Sequence, residues 1–136
     1  MLKPHDFAPK AEHAFNSRNM EMLLSLFSET FVYRDPNGES RGKEATRARE
    51  EALFSAFPDI QVEMTPVAWT DTALAMTAVM TGTFENAFSV GESVLPPNGQ
   101  RFSFGFAAHI QIRDGLAVSE DVFYDRLNLL QALGQS

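Results

Sequence analysis

Near the end of the chain three carboxylates, Glu120, Asp121 and Asp125, fall within six residues of one another, a short way after His109. A second small group, Tyr33 and Asp35, stands much earlier and two residues apart. Carboxylates, an imidazole and a phenol are groups that move protons or hold a carbonyl oxygen, once burial brings their pKa values to where the chemistry needs them. Facing decides whether they do. Side chains alternate along a strand, so Val118, Glu120, Val122 and Tyr124 share one face while Ser119, Asp121, Phe123 and Asp125 share the other. The first set is more apolar, and Glu120 is therefore the carboxylate expected to look inward. Desolvation there would raise its pKa, as general acid or base work near neutral pH requires. The competing reading places Glu120 at a rim or in an ion pair with Arg101 or Arg113.

The remaining groups divide in the same way. Asp125 immediately precedes an amphipathic tail, where it would cap the free N–H groups of a helix. Asp121 falls on the outer face. His109 sits on the polar alternate of its strand with Gln111 and Arg113, an outer-face or interface position unless a β-bulge turns it inward. Turned inward, a neutral imidazole would suit proton transfer. Tyr33 and Asp35 share one strand face, although Asp35 before Pro36 and Gly38 is also ordinary turn chemistry. His5 and His13 share no regular spacing with each other or with acids, so no metal-ligand constellation is expected. The sequence holds no Ser-His-Asp order, phosphate-cradling glycine loop or dinucleotide fingerprint, and no cofactor is called for.

These groups must be positioned by the elements around them. Residues 4–27 read as helix, with Phe7, Ala11, Ala14, Phe15, Met22, Leu23, Leu26 and Phe27 at three- and four-residue steps, broken at Asn16–Asn19. Residues 30–35 read as a short strand stopped by Pro36-Asn37-Gly38. Helix is expected again from Gly42 to Phe57, its apolar stripe Ala45, Ala48, Ala52, Leu53 and Ala56 set against a charged opposite face. After Pro58 the period becomes two: strands are expected near 60–65, over 73–84 and over 101–113, with a long loop at 85–100. Asp114-Gly115 then predicts a tight hairpin into the last strand, and Leu127, Leu130 and Leu133 predict a short helix that closes a sheet end. Helices first and strands afterwards is the α+β pattern, a curved antiparallel sheet wrapped over N-terminal helices.

Composition narrows the field. At 136 residues the chain is the size of one domain, long enough to bury a substantial core, and 44% hydrophobic residues with twelve Phe supply one. A net charge of −7 repels phosphate backbones, so no nucleic-acid partner is expected. The absence of cysteine excludes disulfides and thiolate chemistry and fits a reducing cytoplasm. No basic flank and apolar run of a secretory leader is read at the N-terminus, and no apolar run approaches the roughly 20 residues that cross a membrane.

The strings FNSRNMEMLLSLFSETFVYRDP at 15–36, GKEATRAREEALFSAFPDI at 42–60, TGTFENAF at 81–88, LPPNGQR at 95–101 and IRDG…YDRLNLLQALG at 112–134 resemble the SnoaL-like branch of the nuclear transport factor 2-like superfamily. The resemblance spans most of the chain in order. It implies one domain over residues 1–136, a cone-shaped antiparallel sheet closed by three helices (the cystatin-like α+β barrel), an apolar pocket in the cone and a homodimer across the sheet's outer face. It implies a small hydrophobic molecule as partner and, for chemistry, cofactor-free proton transfer next to a carbonyl, as in an isomerase, cyclase or dehydratase. In that reading Glu120, Tyr33 and Asp35 handle protons and hydrogen bonds, with His109 in reserve. The fold equally hosts non-catalytic modules that bind an apolar molecule, and dimeric interaction proteins. Polyketide cyclases of the family carry a His-Trp-Asp-like string in the last strand. Aligned through the Asp-Gly turn it falls on Glu120, Asp121 and Val122, so their catalytic Asp is here a valine.

Overall fold

The computed structural model describes residues 1–135. It opens with α1 (Pro4–Asn16) and α2 (Met20–Leu24), separated at the predicted break. Phe7, Ala11, Ala14 and Phe15 form the buried face of α1. Asn19 caps α2 by accepting the Met22 N–H at 3.0 Å. Helix does not continue to Phe27, however, because β1 (Phe27–Asp35) begins there. Phe27 and Phe31 lie four residues apart, a spacing that keeps two side chains on one side of a helix and of a strand alike. Both are buried, with ring centroids 4.5 Å apart.

A two-residue turn at Pro36-Asn37 joins β1 to β2 (Gly38–Arg41), with Asp35 paired to Gly38. This edge strand has no buried residue, which is why its sequence reads only as a break. Then follow α3 (Lys43–Ala56), β3 (Gln61–Trp69) and β4 (Ala73–Thr83). The stretch expected to be loop holds a small separate hairpin, β5 (Phe88–Val90) and β6 (Ser93–Leu95), anchored by buried Val90 and Leu95. The long β7 (Arg101–Arg113) turns at Asp114 (φ 53°) and Gly115 (φ 76°) into β8 (Leu116–Phe123), the positive-φ pair that the Asp-Gly signal requires. The chain closes with α4 (Arg126–Ala132).

The six-stranded sheet runs β2-β1-β8-β7-β4-β3. It is antiparallel except between β1 and β8, which pair parallel and so correct the all-antiparallel expectation. No local pattern encodes that pairing, since it joins opposite ends of the chain. Register shifts at Phe27–Val32, Pro66–Ala68 and Gln111–Ile112 bend the strands, as bulges do. The sheet's edge at β3 is shielded by α1. Asn16 both donates to the Val62 carbonyl (2.9 Å) and accepts its N–H (2.8 Å), while Glu12 accepts the Met64 N–H (2.7 Å). These bonds occupy backbone groups that an edge strand would otherwise leave open.

Between sheet and helices lies a core rich in phenylalanine. Phe57, at the end of α3, meets Phe84, Phe88 and Phe102 with centroids 4.7–5.3 Å apart, tying α3 to the small hairpin and to β7. Of the predicted tail leucines Leu133 is buried, Leu130 half-buried and Leu127 exposed, while Leu129 joins Leu133 on the packing face of α4. Asp125 caps α4, accepting the Leu127 N–H at 2.8 Å and the Asn128 N–H at 3.4 Å. Among the described residues no helix is long and apolar enough to cross a membrane.

Candidate functional site

The inner sheet face, α1, α3 and the β5–β6 hairpin enclose a cavity of about 370 Å³. Most of its wall is apolar: Phe7, Phe15, Phe57, Phe102, Phe104 and Met80 among others. Its polar groups come from four places, the β5–β6 hairpin contributing Ser89. β8 supplies Glu120 and, just beyond its end, Tyr124. The β1–β2 hairpin supplies Tyr33, Asp35 and Asn37, and α3 supplies Arg49 and Glu50.

Glu120 faces inward, as alternation predicts, and pairs in register with Tyr33 on β1 and Ile110 on β7. No group among the described residues hydrogen-bonds to its carboxyl or lies within ion-pair distance of it. Burial pushes that carboxyl up to about 7, opposed by the Arg49 guanidinium and reinforced by the negative charges of Glu50 and Asp121. The ion pairs considered from sequence do not form, for Arg101 binds Asp59 at 3.1 Å and Arg113 is an exposed residue.

Tyr33 and Asp35 also line the cavity, and they are bonded to each other: the Tyr33 hydroxyl donates to Asp35 Oδ2 at 3.1 Å. Asp35 Oδ1 accepts the Asn37 N–H at 2.8 Å, so the turn and the cavity share this carboxylate. Burial, with Glu120 nearby, raises the Tyr33 hydroxyl well above its ordinary range and keeps it protonated. Asn37 Nδ2 donates in turn to the Tyr124 hydroxyl at 2.8 Å. A polar seam thus follows the β1–β2 hairpin across an otherwise aromatic wall.

His109 takes no part. It pairs with Asp121 on β8 and Ala75 on β4, on the face opposite Ile110. The β-bulge that could have rotated it inward lies farther along, at Gln111–Ile112. Asp121 shares this outer face and meets Arg34 at 3.4 Å.

Two charged cavity residues escape the sequence reading. Arg49 stacks its guanidinium 3.5 Å above the Tyr33 ring, donates to Ser40 Oγ at 3.3 Å and lies 3.7 Å from Glu50 Oε1. Burial raises the Glu50 carboxyl, with Arg49 opposing. The expected alanine stripe of α3 is only partly right, for Ala48 and Ala52 are exposed while Thr46 and Ala56 are buried. The inward face runs Thr46, Arg49/Glu50, Leu53, Phe57. That three- and four-residue spacing is the available signal, hidden because Arg and Glu on a helix read as a solvent face. Among the described residues no three His, Asp or Glu side chains gather as a metal-ligating group.

Residues 6–133 match the family model of the SnoaL-like polyketide cyclases, and the chain belongs to that family. No curated protein matches its sequence. Its fold is similar to that of a candidate polyketide cyclase from Pseudomonas putida (TM-score 0.82, 17% identity, covering 98% of this chain and 99% of that one). It is also similar to TsrD from Streptomyces laurentii (TM-score 0.80, 22% identity, 96% and 94% covered). A third likeness is to a protein with a ketosteroid isomerase-like fold from Catenulispora acidiphila, solved with trimethylamine (TM-score 0.78, 17% identity, 98% and 95% covered). At such identities the likeness establishes the fold, and chemistry must be argued from the cavity.

Proposed function

We propose that the protein is a cofactor-free enzyme acting on a small apolar molecule, with Glu120 moving a proton on the carbon next to a carbonyl. The reading is carried by one observation: a carboxyl with no hydrogen-bond partner among the described residues, raised to about 7, faces a cavity whose wall is mostly apolar. As carboxylate, Glu120 takes the proton; the C–H bond breaks, its O–H forms, and the electron pair passes to the carbonyl oxygen as an enolate. Returning that proton to a second position isomerises the substrate. Attack of the enolate carbon on a second carbonyl closes a ring: the C–C bond forms, the π pair of that carbonyl passes to its oxygen, and the oxygen takes back the proton from Glu120. A group of ordinary carboxylate acidity is a weaker base, and one near 7 is matched to neutral pH.

Tyr33 and Asp35, bonded to each other, are the hydrogen-bonding groups beside it, and their remaining lone pairs accept from a polar edge of the substrate against β1. His109, on the outer face, is outside this proposal. The family's aspartate position is Val122, so the proton is handled two residues earlier, at Glu120, with the same facing. We further propose that the outer face, where Phe123 and Val79 stand 60% and 43% exposed, pairs with a second copy. Light scattering should give the dimer mass, and a monomer at micromolar concentration overturns that pairing.

The test uses 2-tetralone, a bicyclic ketone with acidic hydrogens beside its carbonyl. In deuterium oxide the protein should accelerate exchange of those hydrogens, followed by proton NMR, and Glu120→Gln should lose the positioned base's share, roughly 10²–10⁴-fold. Equal acceleration by protein and variant removes Glu120 from the mechanism, and binding of the ketone without acceleration leaves a non-catalytic binding module.

A further inference from the structure

Hydrogen-bond accounting along the polar seam leaves two groups over, both at the end away from Glu120. The Tyr124 hydroxyl accepts from Asn37 Nδ2 and has no acceptor for its own hydrogen among the described residues. Asn37 Oδ1 is buried without a donor. Turning the Asn37 amide by half a turn exchanges these roles, and in both settings the pair keeps at least one donor and one acceptor free. A buried polar group left unmatched is costly to retain without a function. Tyr33 cannot take this role as it stands, because its hydrogen is committed to Asp35.

Both side chains line the cavity. The Tyr124 ring lies edge-on to Phe104 at 5.3 Å and 81°, so packing fixes where its hydroxyl points. The β5–β6 turn covers this end: a Cβ placed on Gly91 would stand 3.7 Å from Asn37 Oδ1 and 3.8 Å from Arg126 Nη2. Four residues of extended chain separate the backbone of Tyr124 from that of Glu120, about 13 Å.

We propose that Asn37 and Tyr124 form a second polar anchor, which binds a carbonyl or hydroxyl oxygen of a ring-containing, otherwise apolar ligand whose reacting carbon lies toward Glu120. The inference rests on the cavity and the Glu120 chemistry proposed above, and it narrows the substrate class to molecules oxygenated at two separated positions. The anchor sets orientation: the oxygen at Tyr124 decides which carbon meets the base.

The test compares 2-naphthol with naphthalene by fluorescence titration of the full chain. Wild-type protein should prefer the naphthol by roughly tenfold, the upper end of what one net hydrogen bond contributes. Tyr124→Phe, which keeps the ring against Phe104, should bring that ratio close to one, as should Asn37→Leu, whereas Glu120→Gln should leave it unchanged. Thermal melting confirms that each variant is folded. A naphthol preference that survives Tyr124→Phe overturns the anchor while the cavity and Glu120 stand. Loss of the preference in Glu120→Gln instead puts the oxygen at Glu120 and also overturns it. If neither probe binds, the apolar-ligand reading falls, and the anchor with it.

Discussion

Replacing Glu120 by Gln should flatten part of the protein's stability profile with pH. The carboxyl rises from its ordinary 4.5 to about 7 because the cavity strips water from it. The folded state therefore holds this proton more tightly than the unfolded chain does. Below pH 4.5 both states are protonated and the group is neutral in its effect. As pH rises through 4.5 the unfolded chain ionises first, and stability falls until the folded carboxyl has also ionised above about 7. At about 1.4 kcal/mol per pH unit, that interval sums to about 3 kcal/mol. Water entering the cavity would screen the charge, which makes this an upper value. Glu50 pulls in the same direction, so the quantity to measure is the difference between wild type and Glu120→Gln, from urea denaturation at half-unit steps between pH 4 and 8.5. The difference should shift by about 1–3 kcal/mol in favour of the variant on going from pH 4 to pH 8. Parallel profiles would show that Glu120 titrates as an exposed carboxyl, and the reasoning from burial would be refuted.

Arg49→Met should raise the Glu120 midpoint further, since the guanidinium is what opposes desolvation, and the pH–stability difference just described should extend to higher pH. The same change removes the stack on Tyr33, at about 0.5–2 kcal/mol, measurable in urea. Asp125→Ala should cost about 1 kcal/mol through loss of the α4 cap, lowering the urea midpoint. Naphthalene binding should be unchanged, because Asp125 does not line the cavity.

The parts legible in the sequence are those in which one local rule suffices. Asp114-Gly115 announces the β7–β8 turn because few residue pairs tolerate its dihedrals, and the apolar alternation of β7 fixes its inner face. Alternation with the apolar Val122 gives the inward Glu120 and the outward Asp121, whereas the turn alone would pair Glu120 with His109: the bulge opposite Gln111–Ile112, between Ala117 and Ser119, shifts the register by one residue. Asp125 reads as a cap from its place before the leucines. The parts hidden are those where two rules agree on the wrong answer or where no local rule applies. Phe27 and Phe31 satisfy helix and strand spacing together. The alanines of α3 look like its core face, yet the helix turns Arg49 and Glu50 to the cavity, where the guanidinium stacks on Tyr33 and opposes the rise of Glu120 while Glu50 adds to it. The parallel pairing of β1 with β8 joins residues 87 apart, Tyr33 with Glu120, and so assembles the site by topology alone. Asn37 and Tyr124 belong to the same case: a turn residue and a strand-end residue acquire a role only once they meet.

The central claim is that Glu120, tuned by burial, moves a proton on carbon. Its most direct test is the pH dependence of α-hydrogen exchange in 2-tetralone, followed by NMR from pH 5 to 9 in wild type and Glu120→Gln. The expected result is an enzyme-dependent rate that rises with a midpoint near 7 and then levels, and that the variant lacks. A midpoint near 4.5, or the same curve in both proteins, would contradict it.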